Sequence, residues 1–153
     1  MLRKSASPRR RVAAILLLAL ASTGAASASS AAAPAPTPPS LQLSLAGAPQ
    51  PGGLGAVTSM GSAASPGTVV IYLDRGSSCA DTTALEDMRL GTGQVLPLPT
   101  HTVTAAGPFG PFTSQFPAPA HGSYLLCGYL TDGTPTPAAV APTPLVIPVP
   151  GGP

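Results

Sequence analysis

The chain has 153 residues, with seven basic and five acidic side chains and a formal net charge of +2. Five of the seven basic residues lie within Met1–Arg11, so the remaining chain carries two arginines, five acids and a net charge of −3. Binding to nucleic acid or to an anionic membrane surface needs a basic patch. No such patch follows residue 11, and the composition excludes both classes of partner.

The first 28 residues are typical of a secretory signal peptide. The basic segment Met1–Arg11 precedes the apolar run Val12–Ala21, and a small-residue A-x-A pattern ends at Ala28. These are the three parts of a cleavable leader. The apolar run is well short of the ~20 residues that a membrane span needs. We therefore expect export, cleavage before Ser29, and no membrane span after cleavage.

An uncleaved leader that anchors the chain in a membrane is the alternative. The pair Arg9-Arg10 also raises the twin-arginine export route, although the residues around the pair fit general secretion better. The chain contains no Asn or Trp and is rich in Ala, Gly and Pro. We interpret this bias as that of a high-GC genome, and predict a secreted actinobacterial protein of the cell envelope exterior or the medium.

A linker and three strands are predicted next. Residues 29–40 (SSAAAPAPTPPS) are a Pro/Ala-rich linker, a composition that is extended and disordered. Residues 41–45 (LQLSL) alternate Leu with polar residues, which predicts a strand. A weaker strand is predicted over 54–63. Residues 68–74 (TVVIYLD) have the β-branched and aromatic content of a central strand buried on both faces.

The stretch 75–99 is irregular apart from one predicted helix of two turns at most. Thr83 and Glu86 match a capping box, and Gly91 would end the helix. Such a helix would turn Leu85 and Met88 towards the core.

Further strands are predicted in the second half of the chain. They cover 100–105, 112–116 and 122–130, the last of which (GSYLLCGYL) is apolar enough to be central. Asp132-Gly133 predicts a hairpin turn. The prolines within 138–149 confine the final strand to a sheet edge. Residues 41–149 are therefore one domain, and residues 150–153 are a flexible tail.

Three segments resemble a bacterial immunoglobulin-like domain: TVVIYLD leading to Cys79, GPFTSQF, and GSYLLCGYL with Cys127. The resemblance implies an all-β fold, an antiparallel immunoglobulin-like sandwich of about seven strands with one short helix, preceded by the signal peptide and the linker. The antibody-type pattern is not matched, because there is no Trp and Tyr124 lies three residues before Cys127. The resemblance implies a fold and transfers no activity.

Cys79 and Cys127 are the only two cysteines, and an exported chain permits their oxidation. We predict a disulfide between them, which in the chain-entropy model stabilises the domain by about 4 kcal/mol. Because Cys79 follows a predicted strand, the bridge would tie a loop or the short helix to the sheet. Two free buried thiols are one alternative. A metal site that adds His101 and His121 is another, although its spacing matches no zinc pattern.

The sequence contains no catalytic or cofactor motif, and we predict no catalytic, cofactor-binding or metal site. His101 and His121 are expected to be exposed loop residues. A solvated acidic rim near Cys79 is expected in preference to a Ca²⁺ site, and its members would be Asp74, Asp81, Glu86 and Asp87. Arg75 and Arg89 would be their exposed partners, in pairs worth little.

Phe109 and Phe112 are the candidate contact surface, with core packing as the alternative. The whole pattern predicts a secreted, non-catalytic structural protein of the envelope. The alternative is an extracellular binding module for a protein or glycan, and an enzyme is the third interpretation. The expected partner is an extracellular protein or a cell-wall component, with no nucleic acid.

Overall fold

A computed structural model of the protein describes residues 37–149. These residues form an all-β antiparallel sandwich with one short helix, as predicted. The predicted signal peptide, residues 29–36 of the linker and the tail 150–153 lie outside the described residues. The elements are β1 (Ser40–Leu45), β2 (Leu54–Ala63), β3 (Gly67–Asp74), α1 (Thr83–Leu90), β4 (Val95–Pro97), β5 (His101–Val103), β6 (Gly107–Pro117), β7 (Gly122–Thr131) and β8 (Ala139–Ile147).

The strands form two antiparallel sheets. The smaller sheet has the order β1-β2-β6, and the larger has the order β4-β3-β7-β8 with β5 also paired to β3. In the larger sheet β3 and β7 are central, with Thr68 opposite Thr131 at one end and Asp74 opposite Leu125 at the other. Strand β8 lies at the edge, as its prolines predicted, because proline cannot donate a ladder hydrogen bond.

The main core lies between the two sheets. Val57 and Phe116 contribute from the smaller sheet, and Ile71 and Leu126 from the larger one, all at 2% exposure or less. Gly128 allows the sheets to approach closely, because a Cβ built there would lie 3.0–3.1 Å from methyl groups of β1. The absence of a side chain on β7 at this point therefore lets the leucines of β1 pack against the backbone.

The outer face of the larger sheet is also covered. A second cluster of buried residues lies there, on β3, β4 and β7, and the segment that contains α1 packs over it; its members are Tyr72, Val95, Cys127 and Tyr129. Burial on both faces explains why β3 and β7 are nearly continuous apolar sequences. Strand β4 was not predicted, since three residues are too few to show a period. No helix within residues 37–149 has the length and apolarity to cross a membrane.

Replacing Gly55 with Ala is expected to destabilise the sandwich. The new Cβ would lie 2.7 Å from Cε2 of the buried Phe116 ring, and overpacking of a filled core costs about 1–3 kcal/mol. Urea unfolding measures the change in the free energy of unfolding.

Gly91→Ala is the matched control for this substitution. Gly91 has a φ of −65°, and a Cβ built there has no atom within 4 Å. We expect its effect to stay within about 0.5 kcal/mol. Equal losses in the two variants would contradict the overpacking explanation.

Candidate functional site

The predicted disulfide joins Cys79 and Cys127, whose Cα atoms are 5.5 Å apart. Cys127 is fully buried on the outer face of β7, and Cys79 lies in the segment between β3 and α1. The bridge therefore ties a loop to the sheet, as predicted. The alternatives of free thiols and of zinc-bound thiolates are wrong, because both sulfurs are used in the disulfide.

Two carboxylates are buried beside this bridge. Asp74 and Glu86 are both 0% exposed, and Arg89 lies between them. Arg89 Nη1 is 2.7 Å from Asp74 Oδ2 and 3.4 Å from Glu86 Oε2, and Nη2 donates to Asp74 Oδ1 at 3.1 Å. We call these three residues the Arg89 cluster. The predicted solvated rim is wrong for Asp74 and Glu86, because both pack between α1 and the sheet, while Asp81 and Asp87 are exposed.

Two tyrosine hydroxyls complete the polar layer. The Tyr129 hydroxyl lies 2.7 Å from the carbonyl of Ala80 and 2.9 Å from Glu86 Oε1, so its one proton is shared between two acceptors. The Tyr72 hydroxyl donates to Asp87 at 2.7 Å. Burial, followed by the hydrogen bond to Glu86, raises the pKa of Tyr129 far above its ordinary value. Burial and Asp87 raise the pKa of Tyr72 in the same way.

Helix α1 turns a different face to the sheet from the face that the sequence predicted. Its N-cap is Thr82, which accepts from the Leu85 N–H at 3.3 Å, so Thr83 does not form the predicted capping box. Glu86 instead accepts from the N–H of Ala80 at 2.8 Å. Leu85 and Met88 are 42% and 68% exposed, and their predicted inward orientation is wrong. The sheet surface beneath the helix carries Asp74 and tyrosine hydroxyls, so polar helix residues face it.

Potential metal ligands also meet at this point. Asp74, Glu86 and Cys127 place ligand-type atoms within 4.8 Å of one another. Cys127 has no free thiolate, because it is disulfide-bonded, and Arg89 already pairs with both carboxylates. The arrangement is therefore a buried ion-pair network that positions α1.

The two histidines have different environments. His101 lies on β5, which confirms the strand predicted over 100–105, and it is half-buried, so the expectation of an exposed loop residue is wrong. Its Nε2 is 2.8 Å from Ser114 Oγ, which donates to the carbonyl of Pro99 at 3.2 Å. Ser114 is only 2% exposed, and the pair links β5 to β6. His121 is exposed, as predicted.

The candidate contact residues Phe109 and Phe112 are half-buried on β6. Their rings stack with centroids 6.0 Å apart, and Phe112 also stacks on His101 at 5.0 Å. Surface hollows of about 310 and 320 Å³ lie on the two sides of Phe109. Phe112 stacks on both of the other rings, and all three residues remain partly exposed. Contact with a partner through Phe109 and Phe112 stays a prediction.

Arg75 was expected to pair with an acid, and this expectation is wrong. Its guanidinium carbon lies 5.8 Å from the ring centroid of Tyr124, within the range of a cation–π interaction. The salt bridges of residues 37–149 involve Arg89 and leave Arg75 without a carboxylate partner. Three surface hollows meet at this pair, with volumes of about 180, 410 and 330 Å³.

Sequence reasoning predicted that Arg89 pairs with these acids but placed the pairs at the surface, and it missed the Arg75–Tyr124 pair. One available signal was Asp74 at the end of a strand predicted to be buried on both faces. Another was the spacing of Glu86 and Arg89, which are three residues apart and therefore on one helix face. Neither signal shows which face of the helix meets the sheet.

Comparisons with known proteins assign no family. No protein-family model matches the sequence, and no curated protein matches it. Among solved structures, a crystal structure of BslA, described as a bacterial hydrophobin, aligns with a TM-score of 0.37 and 16% sequence identity. The alignment covers 73% of this chain and 96% of BslA. A likeness of this size carries no argument about fold or function.

Replacing Tyr129 with Phe is expected to destabilise the protein by about 1–3 kcal/mol. The change removes the hydroxyl that donates a hydrogen bond to the carbonyl of Ala80 and to the buried Glu86 carboxylate. Tyr124→Phe is the control, because its hydroxyl donates to the carbonyl of Ala120, an exposed residue that water can reach. Chemical denaturation of both variants tests the difference, and a smaller loss for Tyr129→Phe would contradict the role of the buried cluster.

Alkaline pH is expected to destabilise the fold. The pKa values of Tyr72 and Tyr129 are raised in the folded state, so above the ordinary tyrosine pKa of about 10 the unfolded chain loses protons that the folded chain retains. These two residues should then lower the free energy of unfolding by about 2.7 kcal/mol per pH unit.

Urea unfolding of the oxidised protein between about pH 11 and pH 12, where the tyrosines of the unfolded chain are ionised, measures this slope. Tyr72→Phe should reduce the slope by about half, since one of the two linked protons is removed. A slope that is unchanged by the substitution would contradict the assignment to these tyrosines.

Proposed function

We propose that the protein is exported and acts outside the cytoplasm as a rigid, non-catalytic β-sandwich of the cell envelope or the medium. The observation that carries the proposal is the disulfide between Cys79 and Cys127. Structural disulfides persist in oxidising compartments and are rare where thiols are kept reduced. The leader-like composition of residues 1–28 supports the same location.

The position of the bridge supports a structural role. It anchors the segment before α1 to a central strand, and the Arg89 cluster anchors the far end of the same helix. The segment would otherwise bind the sheet weakly, because Glu86 is the one fully buried side chain of α1. Cross-linking and buried ion pairing together suit a protein that must keep its shape without the help of cytoplasmic chaperones.

A binding module for an extracellular protein or a cell-wall component is the second candidate. It is favoured by the position of Phe109, which separates two surface hollows and keeps part of its ring exposed. Such a partner would contact ring edges and the hollow walls, since stacking on Phe112 covers one ring face.

Intact mass of the protein from the medium and from membranes tests the first proposal. We expect a species in the medium that begins near Ser29 and is two hydrogens lighter before reduction than after it. The loss of two hydrogens reports oxidation of Cys79 and Cys127, which are the only cysteines.

A variant with both Cys79→Ser and Cys127→Ser is the control, and its mass should not change on reduction. A full-length species confined to the membrane fraction would contradict release into the medium and would indicate an uncleaved anchor. Alkylation of both thiols without prior reduction would contradict an oxidising location.

A further inference from the structure

Arg75 directly follows Asp74, the last residue of β3. Successive side chains of a strand point to opposite faces of the sheet. Asp74 turns to the outer face and pairs with Arg89. Strand alternation then places Arg75 on the other face. The β3–β7 register, in which Asp74 is opposite Leu125, places Arg75 opposite Tyr124. The backbone N–H of Arg75 donates to the carbonyl of Gln94 at 3.0 Å, so the backbone that carries the guanidinium is fixed.

Tyr124 gives the guanidinium a rigid support. The tyrosine is only 8% exposed, and its hydroxyl donates to the carbonyl of Ala120 at 2.9 Å. The guanidinium carbon lies 5.8 Å from the ring centroid. A guanidinium held against an aromatic face loses less conformational freedom when it binds an anion, and its N–H groups stay free at the edge of its plane.

The residues around Arg75 form a surface rich in hydrogen-bond donors. The three hollows that meet at Arg75 and Tyr124 are lined by further exposed polar residues from separate segments, namely Ser77, Gln94, His121 and Ser123. None of the residues that line these hollows is Asp or Glu. The chain beyond residue 11 has a net charge of −3, so an arginine without a carboxylate partner among the described residues is a distinct electrostatic feature. The Asp74 carboxylate, which accepts from the N–H of the lining residue Gly76, is buried and paired with Arg89.

We propose that this Arg75–Tyr124 surface is a binding site for a phosphate group. A guanidinium offers five N–H donors in a fixed fork, and imidazole and hydroxyl groups add donors from other directions. A tetrahedral phosphate has acceptor oxygens for several such directions, whereas a carboxylate has two oxygens in one plane. The hollows of about 180, 330 and 410 Å³ are shallow, so one phosphate group binds and the rest of its carrier stays in solvent.

A titration of the exported, isotope-labelled protein followed by nuclear magnetic resonance tests the site. The probes are inorganic phosphate, a poly(glycerol phosphate) oligomer and acetate, each added at constant ionic strength. We expect saturable shifts of the backbone amides of Gly76, Ser77, Gly122 and Ser123 with both phosphate probes, and weaker binding of acetate.

Arg75→Gln should weaken phosphate binding about tenfold or more, because hydrogen bonds to a charged group are lost. Arg75→Lys keeps the charge without the fork and should give a smaller loss. Gln115→Glu is the matched control, since it changes the net charge by the same amount at an exposed position on β6. Thermal unfolding should change little in all three variants, because both positions are exposed and an exposed cation–π contact contributes little to stability.

Equal affinity of wild type and Arg75→Gln would overturn the proposal, as would equal binding of acetate and phosphate. A loss with Gln115→Glu as large as that with Arg75→Gln would also overturn it, because the attraction would then be a general charge effect. Tighter binding of the oligomer would support a site for a phosphodiester polymer, and tighter binding of inorganic phosphate would support a site for free phosphate. The site does not depend on export, so its failure leaves the proposed function intact.

Discussion

Arg89 pairs with two carboxylates that are fully buried between α1 and the larger sheet, and the position of α1 over that sheet depends on this arrangement. Without Arg89, Asp74 and Glu86 would be like charges in a poorly solvated interior, and breaking a buried pair costs about 3–5 kcal/mol. The usual contribution of apolar burial is small for this helix, because Leu85 and Met88 face solvent. The helix is therefore held by directional polar contacts and by a covalent bridge.

The disulfide and the Arg89 cluster hold the same segment at different points. Cys79 precedes α1, whereas Arg89 is in its last turn. Between them, Glu86 accepts hydrogen bonds from the Tyr129 hydroxyl and the N–H of Ala80. These contacts position the segment that connects β3 to β4. This segment covers Cys127 and Tyr129 on the outer face of the larger sheet. The pairing with Arg89 holds Asp74 on the outer face of the larger sheet, and strand alternation then places Arg75 on the opposite face.

Two surfaces of the sandwich differ in what they can offer to a partner. The rings of Phe109 and Phe112 on β6 and of His101 on β5 form one stack, so much of their apolar area already stabilises the fold. At the end of β3, Arg75 rests on Tyr124 with its donors free. The first surface suits a partner that fills shallow hollows beside aromatic rings, and the second suits an anionic group. Both lie on a scaffold whose positions are fixed by the core and by the disulfide.

The sequence by itself determined the main strands, the disulfide and the edge position of β8. These features have local causes: alternation and β-branched content for strands, proline for an edge, and two cysteines for a single pairing. Only the tertiary structure decided the burial of Asp74 and Glu86, the face that α1 turns to the sheet, the partial burial of His101 and the absence of an acidic partner for Arg75. Each of these depends on groups far apart in the chain, such as Glu86 with Tyr129 and Arg75 with Tyr124. A buried charge is tolerated only where its hydrogen-bonding and ion-pair partners come together in the folded structure. The local sequence does not show which distant residues will supply those partners.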